Sequence, residues 1–348
     1  MKEYIEKTDI KSLSQEELEE IFLSLGEKKF RAKQLYEWIH KKNCTSYEEM
    51  TNLPLSLREK LKERYPLKLM EIYQVQTSKV DGTKKFLFKL RDGNFIESVF
   101  MRYKHGNSVC ISSQIGCRMG CRFCASTLDG LTRDLSAGEM LEQIYQIQKE
   151  TQERVSNVVV MGMGEPLENY ENLLRFISMI SNEKGLMISQ RNLTVSTCGL
   201  VPKIRELADK KLQITLAISL HASNDEKRRA LMPIANKYSL KEVLDACAYY
   251  FEKTGRRITF EYSLVGGHND SMEDASELHD ILKGFPFHLN LIPVNPIKER
   301  NYVQSDKKVV ENFKNKLEKY GINVTIRREM GRDIDGACGQ LRKKYLDQ

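Results

Sequence analysis

From residue 108 onward, short apolar runs alternate with longer amphipathic stretches. The runs "SVCISSQIG", "NVVVMGMG", "NLTVSTC", "QITLAISLH", "ITFEYSLVGG" and "HLNLIPVN" carry β-branched residues and close on small or polar ones, as strands do. Between them, 136–150, 169–182, 239–253 and 271–283 repeat apolar positions at helical spacing. Strands separated by helical crossovers build a parallel sheet, so the fold class is α/β. Six such units with polar residues at the strand ends predict a partial (β/α)6, TIM-like barrel, whose active site gathers at the C-terminal strand ends. A doubly wound open sheet satisfies the same periodicity.

The first 69 residues read differently. "SQEELEEIFLSL" opens on Ser14 followed by acidic residues, a capped helix start, and Asn52-Leu53-Pro54 breaks the run. Over 70–102, "FLFKL", "RDGN" and "FIESVFM" predict a hairpin with Asp92-Gly93 at its tip. The expected organisation is a small helical accessory domain (1–69), a hairpin linker (70–102) and a barrel core (103–348).

Composition narrows the class. The chain has 348 residues, 41% hydrophobic and 30% charged, values of a soluble globular protein. Its first ten residues lack the apolar segment of a secretory signal, and no uncharged apolar run approaches membrane-spanning length. A cytoplasmic protein is expected, whose reduced, clustered cysteines read as metal-binding or catalytic rather than as staples. The net charge of +7 is too mild to indicate nucleic acid by itself. Its distribution adds more: "KKFRAKQLYEWIHKK" (28–42) carries six Lys/Arg against one Glu, interleaved with Phe30, Tyr36 and Trp38. Such a segment suits phosphate contact and base stacking; it equally suits a solvated helix whose aromatics face a core.

The sharpest signal is "GCRMGCRFCAS", with Cys117, Cys121 and Cys124 at C-x3-C-x2-C spacing. A structural zinc site takes four ligands, usually in two pairs, and His105 lies at no usual zinc spacing from the three. An iron–sulfur cluster is held by thiolates, and three of them on a four-iron cluster leave one iron open to substrate. The next strand, "VVVMGMGEP", ends in Gly162, Gly164 and Glu165; Leu167 stands where a dinucleotide-binding G-x-G-x-x-G needs its third glycine.

The spacing, with Phe123 before the last cysteine, resembles the radical-SAM superfamily. Together with "MGMGEPL", "VSTCG", "AISLHA", "LIPVNP" and "RDIDGACGQL", it resembles the RlmN/Cfr family of radical-SAM RNA adenine methyltransferases, the RlmN branch most. The resemblance covers most of 97–342, and the helical region fits that family's accessory domain. It implies a 4Fe-4S cluster on Cys117, Cys121 and Cys124. It also implies S-adenosylmethionine contacts at Gly164, Glu165, Ser196, Ser219, Leu220, His221 and Asn295.

By the same resemblance, Cys338 accepts a methyl group from one S-adenosylmethionine. A second is cleaved to a 5′-deoxyadenosyl radical that removes hydrogen from that methyl, and the carbon radical adds to the base. Cys110 matches the family's resolving cysteine and Glu97 its proton acceptor. Small neighbours give the Cys338 backbone freedom, and Arg327, Arg328 and Arg332 favour its thiolate. Cys44, Cys198 and Cys247 read as packing residues. The implied substrates are adenosines of 23S rRNA and tRNA, methylated at C2, with flavodoxin or ferredoxin and its reductase as electron donor, no membrane, and a monomeric enzyme. Pro166 favours C2 over the sister branch's C8, where the pattern carries Ala. A non-catalytic zinc-knuckle RNA-binding protein is the rival of a different class.

Overall fold

The computed structural model describes residues 9–296, 299–334 and 340–346. Its strands, in chain order, are β1 (Glu71–Thr77), β2 (Lys84–Lys89), β3 (Phe95–Tyr103), β4 (Gly106–Ile111), β5 (Gln114–Gly116), β6 (Leu131–Asp134), β7 (Asn157–Val160), β8 (Leu193–Thr197), β9 (Thr215–Ser219), β10 (Ile258–Leu264), β11 (Phe287–Pro293) and β12 (Val324–Ile326). The helices are α1 (Gln15–Ser24), α2 (Phe30–His40), α3 (Leu55–Arg64), α4 (Ala137–Thr151), α5 (Tyr170–Ile180), α6 (Val201–Asp209), α7 (Asp225–Leu231), α8 (Leu240–Thr254), α9 (Met272–Ile281), α10 (Lys307–Lys319) and α11 (Gln340–Leu346).

All strands but β5 and β6 form one ten-stranded sheet, ordered β1-β2-β3-β4-β7-β8-β9-β10-β11-β12. From β4 to β12 every neighbouring pair is parallel. The six predicted strands are therefore β4 and β7 to β11, with the three-residue β12 added at the edge. At the other edge the predicted hairpin forms: β2 and β3 pair antiparallel across Leu90–Asn94, whose ends bond at 2.8 Å, and β3 pairs antiparallel with β4. Glu97 and Ser98 of β3 line the same cavity as Pro293 of β11 and Arg327 beyond β12. The two edges of the sheet thus curl toward each other, giving the partial barrel rather than a flat doubly wound sheet.

The crossover helices are specified locally. Ser136, Ser239 and Ser271 close capping boxes with Glu139, Glu242 and Asp274 at the starts of α4, α8 and α9, satisfying amide groups that a helix start leaves free. Gly255 ends α8 at φ 65°, the left-handed conformation glycine adopts without penalty. The apolar face of α4 buries Met140, Leu141, Ile144 and Ile147 against the sheet, each contributing roughly 1.5–3 kcal/mol relative to exposure.

The N-terminal helices are fastened to the outside of α4 and α5. Lys11 and Glu142 form an ion pair at 2.5 Å with both side chains almost fully buried. Asp9 accepts from Ser136 at 2.9 Å, Ser12 accepts from the Gly138 N–H at 2.8 Å, and His40 bonds Tyr145 at 2.7 Å. On α2, Tyr36 is buried in the core. Phe30 is half-exposed, and Trp38 lies under the Lys42 ammonium at 3.5 Å. Among the described residues no helix is long and apolar enough to cross a membrane.

Candidate active site

The predicted cysteine cluster sits on a loop held open by a small ribbon. β5 and β6 pair antiparallel, so residues 117 and 130 face each other, and the Cys117 N–H donates to the Gly130 carbonyl at 2.8 Å. Gly116 at φ 76° must be glycine: a Cβ there falls 1.9 Å from the Gly130 oxygen. The loop is then tied down from both sides. Arg122 N–H donates to Leu231 O at 2.9 Å, and the Thr127 hydroxyl donates to the carbonyls of Cys121 and Cys124 at 3.1 and 2.9 Å.

These ties bring Cys117, Cys121 and Cys124 to the wall of one cavity of about 200 Å³. Gly164, Glu165, Ser196, Ser219 and His221, from the C-terminal ends of β7, β8 and β9 or just beyond them, line the rest. Gly164 is required by proximity, since a Cβ there meets the Gln114 side chain at 2.5 Å. Glu165 is buried, and its carboxylate accepts from Leu167 N–H at 3.0 Å and Cys198 N–H at 2.8 Å. It thereby braces the ends of β7 and β8. Burial pushes its carboxyl upward against these hydrogen bonds.

His221 holds a left-handed φ of 57°, uncommon outside glycine. Its Nδ1 accepts the Ser263 N–H at 2.9 Å, leaving the proton on Nε2, and Phe123 meets its ring edge-on at 4.9 Å. Burial, with the Arg228 charge nearby, lowers its pKa to about 3, so the imidazole is neutral.

A second cavity, of about 430 Å³, shares Met161 and Gly162 with the first. It is lined by Glu97, Cys110 and Asn295, with Arg327, Arg328 and Arg332 on its walls. Glu97 is buried; Lys85, wholly buried, holds its carboxylate at 2.8 Å, and the Arg342 N–H at the start of α11 donates to its other oxygen. Burial raises the Cys110 thiol while Arg327 draws it down. Leu220 lies in neither cavity's lining: its side chain is in the core and its carbonyl accepts from Arg228 at 3.3 Å. Cys338 lies outside the described residues.

Residues 8–66 match the family described as "Ribosomal RNA large subunit methyltransferase N-terminal domain", and 111–280 match "Radical SAM superfamily". A protein of Lachnospira eligens named "Probable dual-specificity RNA methyltransferase RlmN" is 67% identical over 98% of this chain and 97% of its own. A protein of Lachnoclostridium phytofermentans with the same name is 60% identical over 100% and 98%. The chain belongs to the RlmN family of radical-SAM RNA methyltransferases.

The fold agrees with RlmN membership. A crystal structure of a radical SAM methyltransferase from Sphaerobacter thermophilus superposes with a TM-score of 0.91 at 41% identity, covering 96% of this chain and 98% of the other. The cofactors of the family are a 4Fe-4S cluster and S-adenosylmethionine, and the first cavity fits them. Burial pushes the thiol of Cys117 up to about 12, that of Cys121 well above its usual value, and that of Cys124 upward too. Thiols so desolvated stay protonated until metal replaces the proton. The three thiols line one cavity together with Gly164, Glu165, Ser196 and Ser219, so a group held by the thiolates has room beside it for a bound substrate.

One residue that the sequence reads as packing is packed with Leu231 and Met232 and also reaches the cavity. Cys198, taken for packing, lines the first cavity beside Glu165. Its place immediately after β8, next to Ser196 and Thr197, is the signal that finds it.

Proposed function

We propose that this enzyme methylates adenine C2 in 23S rRNA and in tRNA, with Cys338 as methyl carrier, Cys110 as resolving thiol and Glu97 as proton acceptor. The observation that supports it best is the pair of cavities sharing Met161 and Gly162. One has three thiols suited to a cluster; the other has a thiol, a carboxylate and three arginines suited to a base with its flanking phosphates. The target base leaves its stack to enter the second cavity.

Bound in the first cavity, the cluster and S-adenosylmethionine supply the one-electron chemistry that removes hydrogen from the carried methyl group. The residues do the rest. The Cys338 thiolate takes a methyl group from S-adenosylmethionine, with S-adenosylhomocysteine as leaving group. The carbon radical left by hydrogen removal adds to C2. Glu97, oriented by Lys85, would accept the proton that C2 loses as the adduct gives its unpaired electron back to the one-electron chemistry of the first cavity. Cys110 then attacks the Cys338 sulfur; the carbon–sulfur bond breaks, the methylene carbon keeps the electron pair and takes a proton, and a Cys110–Cys338 disulfide remains. Gly164, Glu165, Ser196, Ser219, Leu220, His221 and Asn295 hold S-adenosylmethionine, Leu220 through its backbone. Flavodoxin or ferredoxin with its reductase delivers electrons to a monomeric, cytoplasmic enzyme built as 1–69, 70–102 and 103–348.

The Pro166 side of the first cavity favours C2 chemistry. Mass spectrometry of nucleosides from a deletion strain carrying this gene is expected to show 2-methyladenosine in both rRNA and tRNA. Appearance of 8-methyladenosine alone assigns the C8 reaction instead.

Residues 28–42 form the RNA-binding face of the helical region. Lys28, Lys29 and Lys33 are exposed and Phe30 stands half-exposed among them. Neutralising Lys28, Lys29, Arg31 and Lys33 is expected to weaken RNA binding and flatten its salt dependence by up to about four charges' worth. S-adenosylmethionine cleavage without RNA is unchanged. Binding assays across a salt series check this, and an unaltered slope removes the segment from the interface.

A further inference from the structure

Arg228, on α7, has the largest side chain among the wholly buried ones, at 0% exposure. Its guanidinium donates to three carbonyls: Cys198 at 2.7 Å, Leu220 at 3.3 Å and Tyr238 at 3.4 Å. Among the described residues no carboxylate stands within ion-pair distance of it; Asp225, the acid on its own helix that acts on it, instead accepts the Leu240 N–H at 2.7 Å. Carbonyl dipoles satisfy the N–H groups but leave the charge uncancelled, and a buried charge without a counter-charge is strongly disfavoured.

The anions that would cancel it are thiolates. Cys121, anionic once it ligates iron, acts on Arg228 ahead of Asp225, whereas the Cys198 thiol beside it is kept neutral by burial. The same helix end receives the cluster loop, where Arg122 N–H bonds Leu231 O at 2.9 Å and Cys121 packs with Leu231, Met232 and Cys198. Three thiolates on a 4Fe-4S core make the ligated site net negative, and one-electron reduction makes it more so. Net charge around such a cluster sets its potential.

We propose that Arg228 is the built-in counter-ion of the cluster: its fixed charge offsets the ligated thiolates and makes the cluster easier to reduce. This makes it a positioning residue acting through the site, not a ligand. The inference rests on Cys117, Cys121 and Cys124 being the ligands.

The test uses full-length protein reconstituted with iron and sulfide, titrated by electron paramagnetic resonance at set potentials. Arg228→Gln is expected to move the midpoint potential in the negative direction, while Arg228→Lys, which keeps charge but loses donors, stays near the wild type. Thermal unfolding adds a second readout. Cluster loading should raise Tm less in Arg228→Gln than in the wild type or Arg228→Lys, whereas a scaffold role lowers loaded and unloaded protein equally. If Arg228→Gln assembles no cluster, Arg228→citrulline replaces it, keeping the shape and most donors without the charge, with the same expected shift. A potential unmoved in the neutral variant, or moved equally by Lys and Gln, overturns the inference. Wild-type protein that assembles no cluster fails the ligand assignment instead.

Discussion

Cys110→Ala protein, loaded with cluster and supplied with S-adenosylmethionine, reductant and RNA, will stop with RNA covalently bound to it, whereas Cys338→Ala protein will leave RNA free. Both lose turnover completely, for different reasons. Without Cys338 there is no sulfur to carry the methyl group. Without Cys110 the carrier still loads and joins the base, but nothing attacks its sulfur to release the product. A denaturing gel separates the two: the Cys110→Ala band migrates slowly until ribonuclease is added. Peptide mapping is expected to place the adduct in "GACGQL". The position of Cys110 suits the role. It lines the second cavity with Glu97, and burial keeps it a thiol while Arg327 eases its ionisation. An adduct that survives in the double Cys110/Cys338 variant assigns the carrier elsewhere.

The second large effect is expected at the cluster. Cys121→Ala should yield colourless protein without bound iron or sulfide, and cleavage of S-adenosylmethionine should fall to background. One thiolate of three is lost, and residues 116–126 hold no other Cys or His to replace it. Iron analysis and the visible absorption spectrum decide it. A wild-type preparation that is colourless and binds stoichiometric zinc would restore the zinc-knuckle alternative.

Much of this molecule was legible in the chain because barrel strands and crossover helices announce themselves by period. The six parallel runs and the helical stretches beginning at 136, 239 and 271 needed no tertiary information. What stayed hidden has physical causes. β12 is three residues long, too short for any periodicity. α7 reads "DEKRRAL", a charged face that sequence assigns to solvent, yet Arg228 points inward to carbonyls. Glu97 in a strand ordinarily reads as a surface residue. Its burial follows from Lys85, which sits on the neighbouring β2 two register steps away, a pairing visible only once β2 and β3 are aligned. Leu220 follows Ser219 at the end of β9 but turns its side chain into the core, because successive side chains along a strand point to opposite faces of the sheet, while Asn295, beyond β11, lines the adjoining second cavity.

The Lys11–Glu142 pair has a consequence for how such a protein can be inherited. Lys11 belongs to the helical region and Glu142 to the barrel's own helix, and water reaches neither. A recombination event that exchanged the first segment for one lacking a cation at this place would strand a buried carboxylate, costing about 3–5 kcal/mol, a large share of the roughly 5–15 kcal/mol by which a folded protein is stable. The two parts are thus poor candidates for free shuffling among unrelated barrels. Selection is expected to see residues 11 and 142 as one heritable unit, replaced together or not at all.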